Sequence, residues 1–281
     1  MTTAHFQTAP DITIVADTFG NSSDTPVLLL HGGGQTRHSW KQTGMRLAEA
    51  GWYVIAPDTR GHGESSWSKN LEYSFDYLTD DLIAIISSLD KKPILIGASM
   101  GGICSIIALS RQPDIASALV LVDVSPDMEK KGVDRIFDFM SARPNGYGSL
   151  QEVQDAVTAY LPQRKNRGSL KGLKKNLRKL PNGNWGWHWD PNMLEVWKNN
   201  TTHRDPSQIN DFLTEILKNL QIPALLVRGA MSDVVSKKTV SKLLAIAPQL
   251  QYVDVQDAGH MVAGDSNAVF TEALLDFLKS H

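Results

Sequence analysis

The chain has one cysteine, almost no net charge and no long apolar run, and each of these absences excludes a class of protein. Cys104 has no partner for an internal disulfide, so the fold cannot depend on one. A net charge of −2 and a pI near 6.4 leave no basic excess for binding nucleic acid. No apolar run approaches the roughly 20 residues of a membrane span, and the N-terminal segment MTTAHFQTAPDITI lacks the pattern of a signal peptide. We therefore expect a cytoplasmic protein, without stable membrane insertion, that acts on a small molecule.

Short apolar strands alternate with helical patterns over much of the chain. Alternation of this kind predicts parallel strands joined by crossover helices, which is the α/β class of fold. The predicted strands are residues 12–16, 27–30, 53–56, 94–96, 118–122, 224–227 and 251–255.

The alternation stops over residues 127–210, where helical fragments, prolines and glycines replace the core strands. We therefore predict a core of residues 1–126 and 211–281, with residues 127–210 as a helical cap. The cap would cover the C-terminal strand ends, where such sheets bind their ligands. Within it, residues 164–179 hold eight basic and no acidic residues, with leucines at helical spacing. This pattern predicts an amphipathic cap helix, and the alternatives for its basic face are an anionic substrate such as an acyl-CoA, or a membrane surface.

The segment PILIGASMGGIC carries the strongest local signal in the chain. An apolar strand runs into Gly-x-Ser-x-Gly and then into an apolar helical pattern, which is typical of a nucleophile elbow. Gly97 and Gly101 remove side chains that would obstruct a strained strand-to-helix turn. Ser99 is therefore the predicted nucleophile, with its hydroxyl at the positive end of the helix that follows.

A serine nucleophile requires a general base and an acid that orients the base. His260 follows the last predicted strand in the segment DAGHM, just before the final helix, so it is the predicted base. Two aspartates also follow core strands, Asp233 in RGAMSD and Asp123 directly after residues 118–122. Asp233 gives the chain order Ser, Asp, His and is the preferred acid. Asp123 is the alternative acid, and capping of loop amides is its other possible role.

An oxyanion site and an apolar pocket complete the predicted site. The glycines of the HGGG segment follow a core strand, and their backbone N–H groups suit an oxyanion. We assign this role to the N–H groups of Gly33 and Met100, with Gly34 as the alternative to Gly33. The cap segment WGWHWDP, with Trp197 downstream, holds four closely spaced tryptophans, which predicts either cap packing or an aromatic pocket wall. The candidate pocket residues are Gly34, Trp185, Trp187, Trp189, Val235 and Met261.

Five segments of the chain together resemble the α/β-hydrolase superfamily, in the branch of small bacterial esterases, C–C hydrolases and cofactor-free haloperoxidases. These segments are HGGGQTRHSW, DTRGHGES, GASMGG, RGAMSD and DAGH. The resemblance covers nearly the whole chain and is weak in the cap. It implies an eight-stranded, mostly parallel sheet flanked by helices, with the cap inserted after the sixth strand. It also implies a Ser99–Asp233–His260 triad and no metal or organic cofactor. The segment DTRGHGES resembles a loop of the superfamily that is usually structural, so we expect no catalytic role for it.

These residues predict a serine hydrolase, and the leading hypothesis is a carboxylesterase that acts on a small apolar or aromatic acyl group. The same triad could cleave a C–C bond, hydrolyse a lactone or form peracids, because these reactions differ in the cap and the pocket. A hydrolase-fold ligand receptor with slow turnover is the hypothesis from another class. The sequence indicates neither the natural substrate nor the oligomeric state.

Overall fold

The computed structural model describes residues 1–162, 170–203, 206–262 and 267–280. Its centre is an eight-stranded sheet in the order β1-β2-β4-β3-β5-β6-β9-β10. β1 and β4 each pair antiparallel with β2, and the other neighbouring strands are parallel. The predicted eight-stranded, mostly parallel sheet is therefore confirmed. Its strands are β1 (Thr2–Ala9), β2 (Ile12–Phe19), β3 (Pro26–Leu30), β4 (Tyr53–Pro57), β5 (Ile94–Ala98), β6 (Ala118–Val122), β9 (Ala224–Gly229) and β10 (Gln251–Val255).

Helices cover both faces of the sheet. α1 (Lys41–Glu49) and α10 (Asn267–Lys279) lie on one face. α2 (Phe75–Ser87), α3 (Met100–Arg111) and α9 (Lys237–Ile246) lie on the other. Because successive strand residues point to opposite faces, a strand covered on both sides is apolar throughout. This explains why the central strands could be read from unbroken apolar runs.

β1 has no counterpart among the predicted strands. It is an edge strand, and its residues alternate between exposed and half-buried positions. Its sequence TTAHFQTA is polar at most positions, so it lacks the apolar run of a buried strand. Pairing with β2, from Thr2 opposite Thr18 to Ala9 opposite Ile12, is what orders it.

The segment that the sequence predicts as a cap follows β6, which is the sixth strand of the chain. Its elements are α4 (Lys130–Ser141), α5 (Leu150–Tyr160), α6 (Leu170–Leu173), β7 (Leu177–Lys179), β8 (Trp185–Trp187), α7 (Pro191–His203) and α8 (Pro206–Lys218). The predicted cap boundary at residue 210 falls inside α8. Leu213 and Leu217 of this helix are buried in the same apolar cluster as α3. Over the described ranges, no helix combines the length and apolarity that crossing a membrane requires.

The basic cap segment does not form the single amphipathic helix that its spacing predicts. Residues 163–169 lie outside the described residues, and from Leu170 onward the prediction is wrong, because α6 gives way to a 3-10 turn and then to β7. The chain reverses near Gly183, at a φ of 83°, and β7 pairs antiparallel with β8. Two basic side chains lie over indole rings at 4.0 Å from the ring centroid, Lys179 over Trp185 and Arg178 over Trp67. Aromatic contacts therefore account for part of the basic cluster.

The turn between β5 and α3 leaves no room for a side chain at its glycines. A Cβ built on Gly97 would lie 2.5 Å from the carbonyl oxygen of Gly101, and one built on Gly101 would lie 2.6 Å from the Cβ of Leu30. Both distances are far below van der Waals contact, and the neighbouring atoms belong to backbone or core. The tight turn therefore depends on glycine at both positions.

We expect Gly97→Ala to lower the free energy of unfolding by about 1–3 kcal/mol or more, because the added methyl must push backbone atoms apart. Gly148→Ala is the matched control, since the nearest atom to its Cβ, at 3.0 Å, is the flexible carboxylate end of Glu152. That variant should stay within about 0.5 kcal/mol of the parent. Urea unfolding of the three proteins measures both effects. Equal midpoints for the two variants would contradict this account of the turn.

Candidate active site

Ser99 occupies the turn between β5 and α3 in a strained backbone conformation. Its φ of 46° and ψ of −113° lie outside the regions that L-residues usually adopt. Its N–H donates to the carbonyl of Val122 at 3.1 Å, and its own carbonyl accepts from Gly102 and Ile103. The side chain is half-buried, and its hydroxyl makes no hydrogen bond to any part of the chain that the structure describes. Ser99 therefore lies at the predicted strand-to-helix turn, and its hydroxyl is not hydrogen-bonded within the described residues.

Parallel pairing brings the C-terminal ends of four strands to one edge of the sheet. β5 pairs with β6, β6 with β9, and β9 with β10. Ser99 follows β5, Asp123 follows β6, and the loop that carries His260 follows β10. A Cβ on Gly229, at the end of β9, would lie 2.1 Å from the carbonyl oxygen of Gly259. The loop of His260 therefore lies directly against the end of β9.

The imidazole of His260 is hydrogen-bonded to Asp123, with 2.7 Å between Nδ1 and Oδ2. Asp123 is fully buried and has a φ of 49°, a second strained residue at this edge. The Gly229 N–H donates to Oδ1 at 3.0 Å, and the Ser232 hydroxyl donates to Oδ2 at 2.5 Å. Three donors thus satisfy a carboxylate that has no contact with water.

Asp233, the preferred acid in the sequence-based prediction, does not contact the imidazole. Its carboxylate forms an ion pair with Arg135 of α4, with 3.0 Å between Oδ2 and Nε, and its side chain is 41% exposed. The alternative, Asp123, is the aspartate at His260, so the structure corrects this choice. The reason is position, because Asp123 directly follows a central strand next to β9, whereas Asp233 lies farther along the loop and faces the cap.

Ser99 and His260 lie at the same sheet edge but are not hydrogen-bonded to each other. Among the described residues, the Ser99 hydroxyl forms no hydrogen bond, and the His260 ring is hydrogen-bonded to Asp123. Hydrogen bonds between nucleophile and base commonly shorten only when substrate binds. The arrangement therefore has the elements of a serine nucleophile with an oriented base.

Two of the three backbone N–H groups considered for the oxyanion are available. A Cβ on Gly32 would lie 3.3 Å from the Cβ of Ser99, so the HGGG loop is adjacent to the serine. Gly34 donates its N–H to Nε2 of His62 at 3.1 Å and is therefore occupied. Within the described residues no hydrogen bond uses the N–H of Gly33, nor that of Met100, the first residue of α3. These two N–H groups are therefore free, within the described residues, to donate hydrogen bonds to a substrate oxygen.

Three buried histidines lie together at the HGGG loop, and His31 is the first residue of the loop itself. The rings of His31 and His62 lie 5.0 Å apart between centroids, and those of His62 and His188 lie 5.8 Å apart. His62 accepts the N–H of Gly34, and Nδ1 of His188 accepts the N–H of Gly63 at 2.8 Å. Burial lowers the pKa of His188 to about 3, and burial with neighbouring imidazoles lowers the pKa of His62 well below its usual value. The rings therefore act as neutral acceptors.

The cap covers the HGGG loop with an apolar wall that the sequence-based pocket did not include. A Cβ on Gly33 would lie 3.4 Å from Cζ3 of Trp197, and one on Gly34 would lie 3.1 Å from Sδ of Met140. The indole N–H of Trp197 donates to the carbonyl of Tyr73 at 2.7 Å, which fixes the ring. The four closely spaced tryptophans, Trp197 among them, are the sequence signal for an aromatic wall, although Trp197 is not one of the candidate pocket residues.

The candidate pocket residues lie in different environments. Trp187 and Trp189 stack at 4.9 Å between centroids and belong to the same apolar cluster as Met140. Trp185 lies under lysine side chains in the β7–β8 hairpin. Val235 is fully buried in the core, and Met261 is half-buried beside His260. The structure therefore brings the stacked pair, but not Trp185 or Val235, into the cluster that reaches the loop.

The described residues contain no group of three or more His, Cys, Asp or Glu side chains placed to hold a metal ion. Cys104, on α3, is buried, and burial raises its thiol pKa to about 12. A thiol in this state is a poor nucleophile, because the thiolate is the reactive form. The side chain at the turn, Ser99, is therefore the better nucleophile.

Residues 25–266 match the family model of the alpha/beta hydrolase fold. The chain belongs to this family. It is 28% identical over 260 residues to esterase Rv0045c of Mycobacterium tuberculosis, a match that covers 88% of this chain and 80% of that protein. It is 29% identical over 268 residues to non-heme chloroperoxidase CPO-A1 of Kitasatospora aureofaciens, with 90% and 92% covered. The crystal structure of E-2-(acetamidomethylene)succinate hydrolase has the same fold, with a TM-score of 0.84 over 99% of both chains at 21% identity. The predicted superfamily is thus confirmed, and hydrolase chemistry is supported by the relatives.

The buried histidines of this alpha/beta hydrolase should make its stability depend on pH. The unfolded chain binds a proton at each histidine near pH 6.5, whereas folded His188 binds one only near pH 3. Between these values the unfolded state holds more protons, so the free energy of unfolding falls as the pH is lowered from about 6.5.

We expect the free energy of unfolding of His188→Asn to fall less steeply with decreasing pH, by up to about 1.4 kcal/mol per pH unit. The reason is that asparagine does not titrate, while its Oδ1 can still accept the N–H of Gly63. Urea unfolding between about pH 6.5 and 5 measures the slope. His5→Asn, at an exposed position in β1, is the control and should keep the parent slope. An unchanged slope for His188→Asn would mean that this histidine is not held neutral by burial.

Proposed function

We propose that this alpha/beta hydrolase cleaves esters of small apolar or aromatic acyl groups through a serine nucleophile. The observation that carries the proposal is the meeting, at one sheet edge, of a strained serine turn and a buried aspartate–histidine pair. Ser99 is the nucleophile, His260 the general base, and Asp123 the acid that orients the base. Similarity to an esterase over most of the chain supports the same chemistry.

The reaction proceeds through an acyl-enzyme. The Ser99 hydroxyl oxygen attacks the ester carbonyl carbon while His260 takes the hydroxyl proton. Asp123 keeps Nδ1 of His260 protonated and stabilises the imidazolium. The imidazolium gives its proton to the leaving alkoxide, and the acyl group stays on Ser99. The same imidazole then takes a proton from water, whose oxygen bonds to the acyl carbon. The bond between that carbon and the Ser99 oxygen breaks, the imidazolium returns the proton to Ser99, and the carboxylic acid is released.

The negative charge on the carbonyl oxygen is stabilised by the backbone N–H groups of Gly33 and Met100. Both are unused within the described residues, and Met100 begins α3, whose N-terminus carries the positive end of the helix dipole. Donors of this kind stabilise the transition state because they are oriented before charge develops.

The apolar wall of the cap supports a small, uncharged acyl group. The indole of Trp197 is fixed by its bond to Tyr73 and borders Gly33, where the carbonyl oxygen would bind. Met140 borders the next residue of the loop. An acyl chain bound at Ser99 would therefore meet apolar surfaces close to the reacting carbon.

A second candidate reaction uses the same acyl-enzyme. Similarity to a chloroperoxidase over most of both chains supports peracid formation, in which hydrogen peroxide replaces water as the attacking group. The peroxide oxygen would bond to the acyl carbon, and Ser99 would leave as before. The two reactions differ only in the second nucleophile, so one set of substrates distinguishes them.

We expect a fluorophosphonate probe to label the enzyme at Ser99, and Ser99→Ala to lose labelling and about 10⁶-fold of ester turnover. The control is Ser110→Ala, on the same helix, whose hydroxyl donates to the carbonyl of Ile107. The substrates are p-nitrophenyl esters of graded acyl length, with and without hydrogen peroxide, and one ring-fission dienoate. Turnover should be highest for short acyl groups. Fast dienoate turnover without ester turnover would contradict the proposal, and full labelling without any turnover would favour a ligand receptor.

The acid has a separate test. We expect Asp123→Asn to lower the rate of ester turnover by about 10⁴-fold, because an amide no longer holds the imidazole in the required tautomer. Asp233→Asn should change it by less than about fivefold, since it removes only a solvent-exposed ion pair with Arg135. Rates for both variants at saturating ester measure the difference. A larger loss in Asp233→Asn would return the role of the acid to Asp233.

A further inference from the structure

Ser232 is the one side chain besides His260 that contacts the carboxylate of Asp123 among the described residues. Its Oγ lies 2.5 Å from Oδ2 of Asp123. The same oxygen accepts the N–H groups of Val234 and Val235, each at 3.1 Å. Because both amides occupy the acceptor positions of the hydroxyl, its single proton must point to the carboxylate. The direction of this hydrogen bond is therefore fixed by the loop.

The carboxylate needs this donor. Asp123 has no exposed surface, and a buried carboxylate is costly unless its oxygens are hydrogen-bonded. Oδ1 has the backbone N–H of Gly229, whereas Oδ2 must serve His260 and Ser232 together. The hydroxyl thus holds Oδ2 while the backbone N–H holds Oδ1, and the two donors together fix the plane of the carboxylate that faces the imidazole.

We propose that Ser232 is a positioning residue for hydrolysis, which acts by holding the carboxylate of Asp123 in the orientation that His260 requires. This inference rests on the proposed function, because it assigns a role within the same catalytic site. Ser232 does not contact the reacting atoms. It acts through Asp123, which in turn acts through the imidazole.

The loop of Ser232 is also attached to the cap. The N–H of Glu129 donates to the carbonyl of Val234 at 2.8 Å, and Arg135 of α4 pairs with Asp233. A Cβ on Gly132 of the same helix would lie 2.3 Å from the carbonyl oxygen of Asp233. The start of the cap therefore packs on the loop whose hydroxyl holds the acid, so Ser232 connects the cap to the catalytic pair.

The test compares Ser232→Val with Ser232→Thr, which have the same shape and differ in the hydroxyl. We expect Ser232→Val to lower kcat for a short p-nitrophenyl ester by about 10- to 100-fold, the range for loss of a hydrogen bond to a charged group. KM should change by less than about twofold, since nothing that touches substrate is removed. Ser232→Thr should keep kcat within about threefold of the parent.

Ser232→Val also removes the oxygen that accepts the N–H groups of Val234 and Val235, and this side effect needs its own control. Ser236→Ala removes a similar contact, because Ser236 Oγ accepts the N–H of Thr239 at 3.1 Å at the start of α9 but does not contact Asp123. Its kcat should equal that of the parent even where its thermal midpoint falls. If Ser232→Val does not fold, Ser232→Ala replaces it in the comparison.

Each outcome decides between the alternatives. Equal kcat for the Val and Thr variants would overturn the proposal, as would an equal loss in Ser236→Ala. A rise in KM with kcat unchanged would also overturn it, because a positioning role acts on the chemical step. Failure of the parent enzyme to react with the fluorophosphonate probe would instead overturn the proposed function, so the two failures are distinguishable.

Discussion

A carboxylate without exposed surface lies where several segments of the sheet edge meet, and the site is arranged around it. Asp123 takes hydrogen bonds from the end of β9, from the loop of Ser232 and from the loop of His260. Two donors belong to the end of β9 and the loop that follows it, and the third belongs to the loop of His260. Satisfying one buried charge therefore fixes these two segments relative to each other and to Asp123 at the end of β6. The contacts that make burial of the charge tolerable are the same contacts that orient the imidazole.

The elbow could be predicted because its cause is local. Gly97 and Gly101 are required by backbone atoms within a few residues or on the adjoining strand, and the pattern of strand, glycine and helix records that requirement. His260 was also predictable, since its loop joins the last strand to the last helix. The acid was not, because both aspartates follow strands and their surroundings differ only in three dimensions. Arg135, which pairs with Asp233, is far away in sequence, and no local pattern shows that this carboxylate faces the cap.

The cap illustrates the same limit more strongly. The leucines of residues 170–180 have helical spacing, yet β7 forms there, because pairing with β8 and the stacking of basic side chains on indole rings outweigh local periodicity. Trp197 could be predicted only as one of four tryptophans of a possible aromatic wall, and Met140 had no sequence signal. Their approach to the HGGG loop depends on how α4 and α7 pack. Spacing predicts which residues share one face of an element, but the neighbour of that face is decided by packing between elements.

The array of His31, His62 and His188 stays uncharged in the folded protein. Burial lowers the pKa of all three imidazoles below the ordinary value of about 6.5. As the surrounding pH falls through that value, the rings gain no charge and keep their contacts with the backbone. The HGGG loop therefore keeps its hydrogen bonds over a pH range in which an exposed imidazole would become a cation.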